Sequence, residues 1–287
     1  MRASARTNLP ARCRSNERCT KQIVAATKAK PPKAAKAYAV GVGPHGNSTM
    51  LIYGINAVTE ALKAGRVVSL RVGRRSDRRL EHLLTLAGQS SVPIRRVPDE
   101  ELDRDARGSS HQGVVADLAE RDTYGLDDLI GDARAAPPAL IVVLDGIEDP
   151  HNFGAILRSV DAVGAHGIVR QTRHSAPLSA ATTKASAGAI AHVKIADVVN
   201  VARALEALKE AGIWTVGLAG DAPDTYDKID LKLPTAIVLG AEGTGLRRLV
   251  RERCDFLARI PMLGHVDSLN VSVAAGVVLF EARRQRT

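Results

Sequence analysis

The stretch that decides the fold lies near the C-terminus, where residues 260–276 read IPMLGHVDSLNVSVAAG. Pro261 and Gly264 indicate a loop, and Ser268 is predicted to cap the helix that follows. Apolar residues recur at helical spacing there, at Leu269, Val273, Val277 and Phe280. The unpaired amides at the start of such a helix, with the Ser268 and Asn270 side chains, predict a site for a small polar ligand. An ordinary amphipathic helix shows the same pattern, so other features of the chain are needed to tell a ligand site from a purely structural helix.

The 287 residues are enough for about two domains, and the formal net charge is +9. Residues 1–49 hold ten Lys and Arg against the single acid Glu17, which leaves 30 basic and 30 acidic residues for 50–287. A nucleic-acid interface in the body therefore depends on where charges lie. No apolar run reaches the roughly 18 residues of a membrane span, so no membrane partner is expected. The three cysteines have no spacing typical of a disulfide framework or a zinc site, so no metal is expected.

Residues 1–49 are rich in Ala, Lys, Arg and Pro without a sustained period, which predicts a disordered basic tail. Three interpretations stay open for this tail. It is a basic arm that contacts RNA, an organelle transit peptide, or sequence upstream of a true start at Met50.

Helix and strand patterns alternate over residues 50–118, which predicts a small α/β domain. Helices are predicted at 55–64, 79–87 and 99–107, and strands at 67–72, 94–97 and 113–118. Arginines form two groups, the first at Arg71, Arg74, Arg75, Arg78 and Arg79 and the second at Arg95, Arg96, Arg104 and Arg107. These groups are either solvated surface charge or a face that contacts phosphates. His111-Gln112-Gly113 is a plain turn or part of that face.

Residues 119–138 are polar and end in Pro137-Pro138, which predicts a linker. Buried strands then alternate with helices over residues 139–287, at 140–144, 167–169, 193–195, 213–218 and 236–240. Continuous apolar strands are typical of a parallel sheet covered on both faces, so the predicted fold class is α/β. Ligands bind beyond the carboxyl ends of such strands, and the loops there are the place to look for chemistry.

The loop after the first of these strands leads into a predicted helix with Asn152 as its cap. Its apolar stripe is predicted to pack on the sheet and consists of Phe153, Ile156, Leu157, Val160 and Val163. Arg158 points away from that stripe at 100° per residue. It is either a solvated arginine or part of a face that meets a second subunit or a substrate.

The loop after the fifth strand reads GAEGTGL over residues 240–246. Three glycines permit close approach of the backbone to a ligand, but neither the Walker A pattern nor GxGxxG is present. With Glu242 as its one carboxylate, the loop suits a ligand that carries hydroxyl or ammonium donors, and a tight turn is the simpler alternative. A further small-residue turn follows the fourth strand at residues 218–221. No nucleophile elbow or carboxylate pair indicates a hydrolase.

Three motifs occur in the order shown by the SpoU (TrmH-type) class of SPOUT methyltransferases. They are DPHNFG at 149–154 with Arg158 and Gly164, LGAEGTGL at 239–246, and IPM at 260–262 with SLNVSVA at 268–274. From about residue 51 to residue 285 the chain closely resembles this family. Residues 51–118, with Tyr53-Gly54 and His111-Gln112-Gly113, look like the L30e-like substrate-binding domain fused to ribosomal RNA members.

The resemblance implies S-adenosyl-L-methionine as methyl donor, a ribose 2′-hydroxyl as acceptor, and a C-terminal trefoil knot. It implies a homodimer whose active site draws on both subunits. The cofactor would contact Gly240, Ile260 and Leu269, with Leu218, Ala219, Gly220 and Ser268 nearby. Arg158 would lie beside the 2′-hydroxyl, and the site would be shaped by Asn152, Glu242, Ser268 and Asn270. Because arginine stays protonated in proteins, we expect Arg158 to anchor a phosphate or act electrostatically rather than as a base.

The expected activity is therefore 2′-O-methylation of a guanosine ribose in large-subunit (23S) ribosomal RNA, in the bacterial cytoplasm or, if residues 1–49 are a transit peptide, in an organelle. One alternative is a tRNA or antibiotic-resistance methyltransferase of the same class. Another is a non-catalytic RNA-binding factor in ribosome assembly. The complete set of Asn152, Arg158, Glu242, Ser268 and Asn270 argues against the second alternative, because a binder need not keep all of them.

Overall fold

The computed structural model describes residues 50–106, 110–119 and 124–287. The predicted basic tail at residues 1–49 lies outside the described residues, and so does Arg107 of the second arginine group. Across the described part of the chain, no helix combines the length and the apolar character that crossing a bilayer requires.

The front part of the chain forms a four-stranded sheet in the order β1-β4-β2-β3. Its strands are β1 (Met50–Tyr53), β2 (Val67–Val72), β3 (Ile94–Arg96) and β4 (Val114–Leu118), and its helices are α1 (Ile55–Lys63), α2 (Arg78–Gln89) and α3 (Asp99–Asp105). Strand β4 is antiparallel to β1 and β2, whereas β3 is parallel to β2. The predicted helices and strands lie within two residues of these bounds, and β1 is an additional strand.

The His111-Gln112-Gly113 turn has a structural role in this first sheet. Oε1 of Gln112 accepts a hydrogen bond from the amide of Ile55 at 2.9 Å, where α1 begins after a glycine that has no side chain to cap it. Both ring nitrogens of His111 are hydrogen-bonded. Nε2 lies 3.0 Å from Oδ1 of Asp103, and Nδ1 accepts a hydrogen bond from the Gly113 amide at 3.1 Å. These contacts provide hydrogen-bond acceptors for a backbone amide at the start of α1 and for one in the turn, so the motif is explained without a ligand.

The rest of the chain forms a seven-stranded sheet in the order β7-β6-β5-β10-β8-β11-β9, with every pairing parallel among the described residues. Its strands are β5 (Leu140–Asp145), β6 (Gly167–Gln171), β7 (Ile195–Val198), β8 (Trp214–Leu218), β9 (Asp224–Thr225), β10 (Thr235–Gly240) and β11 (Phe256–Arg259). The predicted parallel sheet is confirmed. Strand β7 begins where the predicted third strand ended, and β9 and β11 had not been predicted.

Helices cover both faces of this second sheet. Helices α4 (Leu126–Ala135), α7 (Val201–Glu210) and α8 (Arg248–Arg253) bury apolar residues on one face, and α5 (Pro150–Val163) and α9 (Val271–Arg286) do so on the other. The short helix α6 (Ala180–Ala185) and a 3-10 turn at Ala189–Ala191 follow β6. Two separate apolar layers therefore enclose the strands.

Helix α4 lies inside the stretch that was predicted to be a linker, residues 119–138. Its Leu129 and Ala133 are completely buried in the same apolar layer as β5. The linker prediction does not hold for residues 126–135, because this helix packs on the second sheet. Its polar outer face, with Asp127 and Asp128 exposed, gave the segment the composition of a linker.

Helix α5 is capped by Asp149, whose side chain accepts hydrogen bonds from the amides of His151 and Asn152 at 3.0 and 3.2 Å. The prediction that Asn152 caps this helix was wrong, because Pro150 occupies the first helical position and fixes the start one residue after Asp149. The predicted apolar stripe is buried and Arg158 is exposed. The side chain of Asn152 is consequently available for other contacts.

Helix α9 is capped by Asn270, so the prediction of Ser268 as its cap was wrong. Of the apolar residues at helical spacing, Val273 and Phe280 are 51% and 54% exposed. The residues that face the core are instead Val271, Ala275, Val278, Leu279 and Ala282. Because the helix is apolar on both sides, periodicity alone could not tell which side meets the sheet. An exposed apolar face remains.

Candidate active site

The loops that follow β8, β10 and β11 meet in one cavity of about 930 Å³. These strands are neighbours in the sheet, so their carboxyl ends bring the loops together. The cavity is lined by the predicted site residues Leu218, Ala219, Gly220, Gly240, Glu242, Ile260, Ser268, Leu269 and Asn270. Its volume falls within the roughly 300 to 1,000 Å³ typical of sites for small organic ligands.

The cavity wall combines apolar side chains, backbone and carboxylates. Leu218 and Ile260 are half-buried and also pack against the core, whereas Leu269 is exposed. Asp221 accepts two hydrogen bonds from Arg251 at 2.8 and 3.0 Å, and this guanidinium holds the pKa of Asp221 below its usual value. A wall of this kind suits a ligand with an apolar ring system and several hydrogen-bond donors.

Gly240, the last residue of β10, is folded against the glycine turn that follows it. A Cβ atom at this position would lie 2.2 Å from the carbonyl carbon of Gly245 and 2.3 Å from the amide nitrogen of Leu246. The turn is closed by backbone hydrogen bonds between Ala241 and Gly245 at 3.1 and 2.9 Å. Gly243 and Gly245 have φ angles of 77° and 66°, which glycine adopts without strain. The glycine pattern is thus required by a backbone that borders the cavity.

Three side chains from the three motifs form one hydrogen-bonded network. Oε1 of Glu242 accepts from Nδ2 of Asn152 at 2.6 Å and from Nδ2 of Asn270 at 2.8 Å. Nδ2 of Asn270 also donates to Oδ1 of Asn152 at 2.9 Å, while Oδ1 of Asn270 accepts from the amides that begin α9. The network ties the start of α5 to the glycine turn and to the start of α9. Asn152 does not line the cavity, but it is bonded to two residues that do.

We expect Glu242→Ala to lower the rate of the reaction at this site about 10- to 100-fold, about 1.4 to 2.7 kcal/mol, because it removes the oxygen that positions both Asn152 and Asn270. Glu242→Gln keeps the oxygen that accepts both bonds and should retain most of the activity. The measurements are kcat/KM and the melting temperature, with the exposed Glu252→Ala as control. If Glu242→Gln were as inactive as Glu242→Ala at an unchanged melting temperature, the charge would act in the chemistry and the positioning role would be wrong.

Asp145 supports the glycine turn from below the cavity lining, and the sequence analysis did not select it. It ends β5, is completely buried, and accepts from the amide of Arg247 at 2.9 Å and from its Nε at 2.7 Å. Arg247 follows the glycine turn, so this pair fixes the end of the turn to β5. The signal in the sequence is a carboxylate that closes the apolar run 140–145, since a buried charge requires a partner.

Arg158 is not part of this cavity. It is exposed on the outer side of α5 and lines a second cavity together with residues of α1 and α2. Its guanidinium has no hydrogen-bond partner in residues 50–106, 110–119 and 124–287. Within one chain, the structure therefore does not bring Arg158 together with the other predicted site residues.

The described part of the chain contains no group of three His, Cys, Asp or Glu side chains placed to hold a metal ion. Burial raises the pKa of the Cys254 thiol to about 12, so this side chain is not a thiolate at neutral pH.

The parallel sheet, with its loop-built cavity and three ordered motifs, defines an α/β methyltransferase of the SPOUT type. Residues 139–280 match the SpoU rRNA Methylase family, and residues 51–124 match the family described as RNA 2'-O ribose methyltransferase substrate binding. The chain belongs to the SpoU methyltransferase family, as predicted.

Known relatives agree with this assignment. The chain is 45% identical over 242 residues to the 23S rRNA (guanosine-2'-O-)-methyltransferase RlmB of Pseudomonas aeruginosa, an alignment that covers 82% of this chain and 96% of the relative. It is 43% identical over 238 residues to the putative TrmH family tRNA/rRNA methyltransferase YacO of Bacillus subtilis, covering 82% and 95%.

Solved structures share the fold. The SpoU methyltransferase AviRb of Streptomyces viridochromogenes in complex with the cofactor AdoMet is 28% identical, with a TM-score of 0.69 and coverage of 82% of this chain and 90% of that one. An AdoMet-bound rRNA methyltransferase of Sinorhizobium meliloti is 28% identical, with a TM-score of 0.70 and coverage of 83% and 88%. Members of this family use S-adenosylmethionine (AdoMet), so the predicted α/β fold, class of enzyme and cofactor are confirmed.

Proposed function

We propose that this chain transfers a methyl group from S-adenosylmethionine to the ribose 2′-oxygen of a guanosine in 23S ribosomal RNA. The observation that carries the proposal is the meeting of loops 218–221, 240–246 and 260–270 in one cavity, in a chain that is 45% identical to an RlmB. The match of residues 51–124 to a substrate-binding family supports an RNA substrate. We propose the bacterial cytoplasm as its location because the relative named as a 23S rRNA methyltransferase is a bacterial protein.

The residues of the cavity fit the cofactor. Leu218, Ile260 and Leu269 would contact the adenine ring, and the exposed backbone of the loops would meet its polar edge. The Glu242 carboxylate and the Ser268 hydroxyl are suitable partners for ribose hydroxyls and an ammonium group. When bound, S-adenosylmethionine supplies a methyl carbon on a positively charged sulfur, which is the electrophile.

Methyl transfer of this kind depends on alignment of the attacking oxygen more than on a strong acid or base. The network of Asn152, Glu242 and Asn270 keeps the loops of the cavity in a fixed arrangement. The planar guanidinium of Arg158 can bind a phosphate through two parallel hydrogen bonds. We therefore assign to Arg158 the anchoring of the nucleotide whose 2′-hydroxyl reacts.

Two features support a homodimer with a composite site. Arg158 lies outside the cofactor cavity of its own chain, so a second chain is needed to bring it there. The exposed apolar face of α9, with Val273 and Phe280, lies next to α5, because a Cβ at Gly276 would be 3.9 Å from the Ser159 hydroxyl, the neighbour of Arg158. A second chain on this face would bury apolar area and set Arg158 at the partner's cavity.

The trefoil knot implied by the resemblance is part of the proposal as well. The chain runs from β11, which lies between β8 and β9, to α9, which packs in the apolar layer of α5. This return from one side of the sheet toward its centre supports a knotted C-terminal segment.

The test is methyl transfer from labelled S-adenosylmethionine to 23S ribosomal RNA isolated without its 2′-O-methyl groups, followed by nucleoside analysis. We expect 2′-O-methylguanosine in the large-subunit RNA and no label in tRNA. Label in tRNA alone would show that the substrate is tRNA and that the proposal of 23S ribosomal RNA is wrong. A dimer that binds the cofactor and methylates neither RNA would contradict the catalytic function and favour the assembly factor.

A further inference from the structure

A second cavity, of about 920 Å³, lies where the first sheet meets the second. Helices α1 and α2 form one wall, and α5 and the 3-10 turn form the other. Its basic side chains come from both walls and are Lys63, Arg78, Arg79, His82, Arg158 and His192. We call this cavity the basic cleft.

The positive charge of the basic cleft is only partly neutralised. Glu60 is engaged on both sides, by Lys63 at 2.7 Å and by His192 at 3.3 Å, and these partners lower the pKa of its carboxyl group. Asp161 is the other acid of the lining. The guanidinium groups of Arg78, Arg79 and Arg158 have no carboxylate partner in the part of the chain that the structure describes.

Other arginines of the first sheet differ in this respect. Arg71 pairs with Asp105 and Asp117, and Arg75 pairs with Asp77 at 2.7 Å. The paired side chains are structural or neutralised, whereas the unpaired ones of the basic cleft can bind anions. Because residues 50–287 carry no net charge, an unpaired local cluster is a specific feature rather than part of a general excess.

The two walls are seated directly on each other within one chain. Gly188, with a φ angle of 96°, meets α1 so closely that a Cβ there would lie 2.6 Å from Cβ of Glu60. His192 contacts Glu60 across the same boundary. Arg78 and Arg79 are thereby held in one cavity with Arg158 of their own chain.

We infer that the basic cleft binds phosphates of the substrate RNA and leads the strand to Arg158 of the same chain, while the methyl group comes from the cofactor held by the partner chain. This inference rests on the proposed composite dimer. It assigns each basic cleft to one of the two active sites of the dimer. The cleft of each chain presents RNA to the active site that contains the Arg158 of the same chain and the cofactor cavity of the partner chain.

The first test is RNA binding by Arg78→Ala/Arg79→Ala, with Arg74→Ala/Arg96→Ala as control. The control removes two exposed arginines from the same front part of the chain, neither of which lines the cleft. We expect the cleft variant to bind the RNA at least about 10-fold more weakly and to lower the slope of log K against log salt by about 1.4 to 1.8, since each of the two lost phosphate contacts lowers it by about 0.7 to 0.9. If the two variants weakened RNA binding equally, the inference that the basic cleft is a specific phosphate-binding site would be wrong.

The second test uses mixed dimers of two differently tagged chains. One chain carries Gly220→Phe, whose ring is intended to fill the cofactor cavity. A Cβ at this position would have the Asp267 carbonyl oxygen, 4.0 Å away, as its nearest neighbour, so the backbone has room for the substitution. The other chain carries Arg78→Ala/Arg79→Ala. The inference places both defects in the same active site, so the second site is intact and about half of the wild-type activity is expected. If the cleft served its own cofactor cavity, both sites would be defective and activity would be lost.

A companion mixed dimer separates this inference from the proposed function. Gly220→Phe paired with Arg158→Ala should likewise recover about half of the activity if the site is composite. Recovery in this pair but not with the cleft variant would overturn only the inference. Failure in both pairs, with dimers present, would overturn the composite site itself.

Discussion

Replacing Arg158 by alanine should reduce kcat/KM for methyl transfer by about 100- to 1,000-fold, the effect of removing one well-placed hydrogen-bond donor from an active site. Arg158 is exposed, and its guanidinium has no partner among the described residues, so the fold should not depend on it. Cofactor affinity should also be unchanged, because Arg158 is assigned to the RNA nucleotide rather than to the cofactor and does not line the cofactor cavity of its own chain. The measurements are single-turnover methyl transfer, cofactor binding by calorimetry, and the melting temperature.

Two further variants make this prediction specific. Arg203 is an exposed arginine on α7, on the other side of the sheet, and Arg203→Ala should behave like the wild type. Arg158→Lys keeps the charge but replaces the planar fork by a point charge, so we expect it to retain less than about a tenth of the activity. Near-wild-type turnover by Arg158→Lys would show that bidentate anchoring is the wrong role.

The sequence was most informative where structure is locally determined. Strands of a covered parallel sheet are continuous apolar runs, which is why β5 and β10 were found at nearly their correct bounds. In the C-terminal helix, Val273 and Phe280 repeat at the same helical spacing as the buried residues, so the pattern indicated a helix but not which of its faces meets the core. A single chain's sequence does not say whether an apolar face meets its own core or another subunit.

The site was predictable as a set of loops but not as a set of contacts. Parallel strands place the turns at 218–221 and 240–246 at one edge, so their convergence follows from the topology. The bond between Asn152 and Glu242 joins residues 90 positions apart, and the one between Asn152 and Asn270 joins residues 118 apart. No local pattern encodes such partners. Asn152 was taken for a helix cap because its residue type fits that role equally well.

The second large effect is expected at Gly240. A methyl group there would overlap the backbone of Gly245 and Leu246, and backbone atoms cannot move aside as a flexible side chain does. Gly240→Ala should therefore displace the glycine turn from the end of β10. We expect a loss of about 1 to 3 kcal/mol in the free energy of unfolding, as for other overpacked sites. Because the same turn borders the cofactor cavity, affinity for S-adenosylmethionine should fall at least about 10-fold, 1.4 kcal/mol or more.

Gly131→Ala is the matched control for this variant. Gly131 lies within helix α4, and a Cβ there meets no atom within 4 Å. The same chemical change should increase stability at that position by about 0.5 to 1 kcal/mol, because alanine loses less backbone entropy in a helix than glycine does. Urea unfolding and calorimetric titration with S-adenosylmethionine measure both variants. Wild-type cofactor affinity in Gly240→Ala would mean that the turn tolerates the displacement and that its close approach to β10 does not form the binding site.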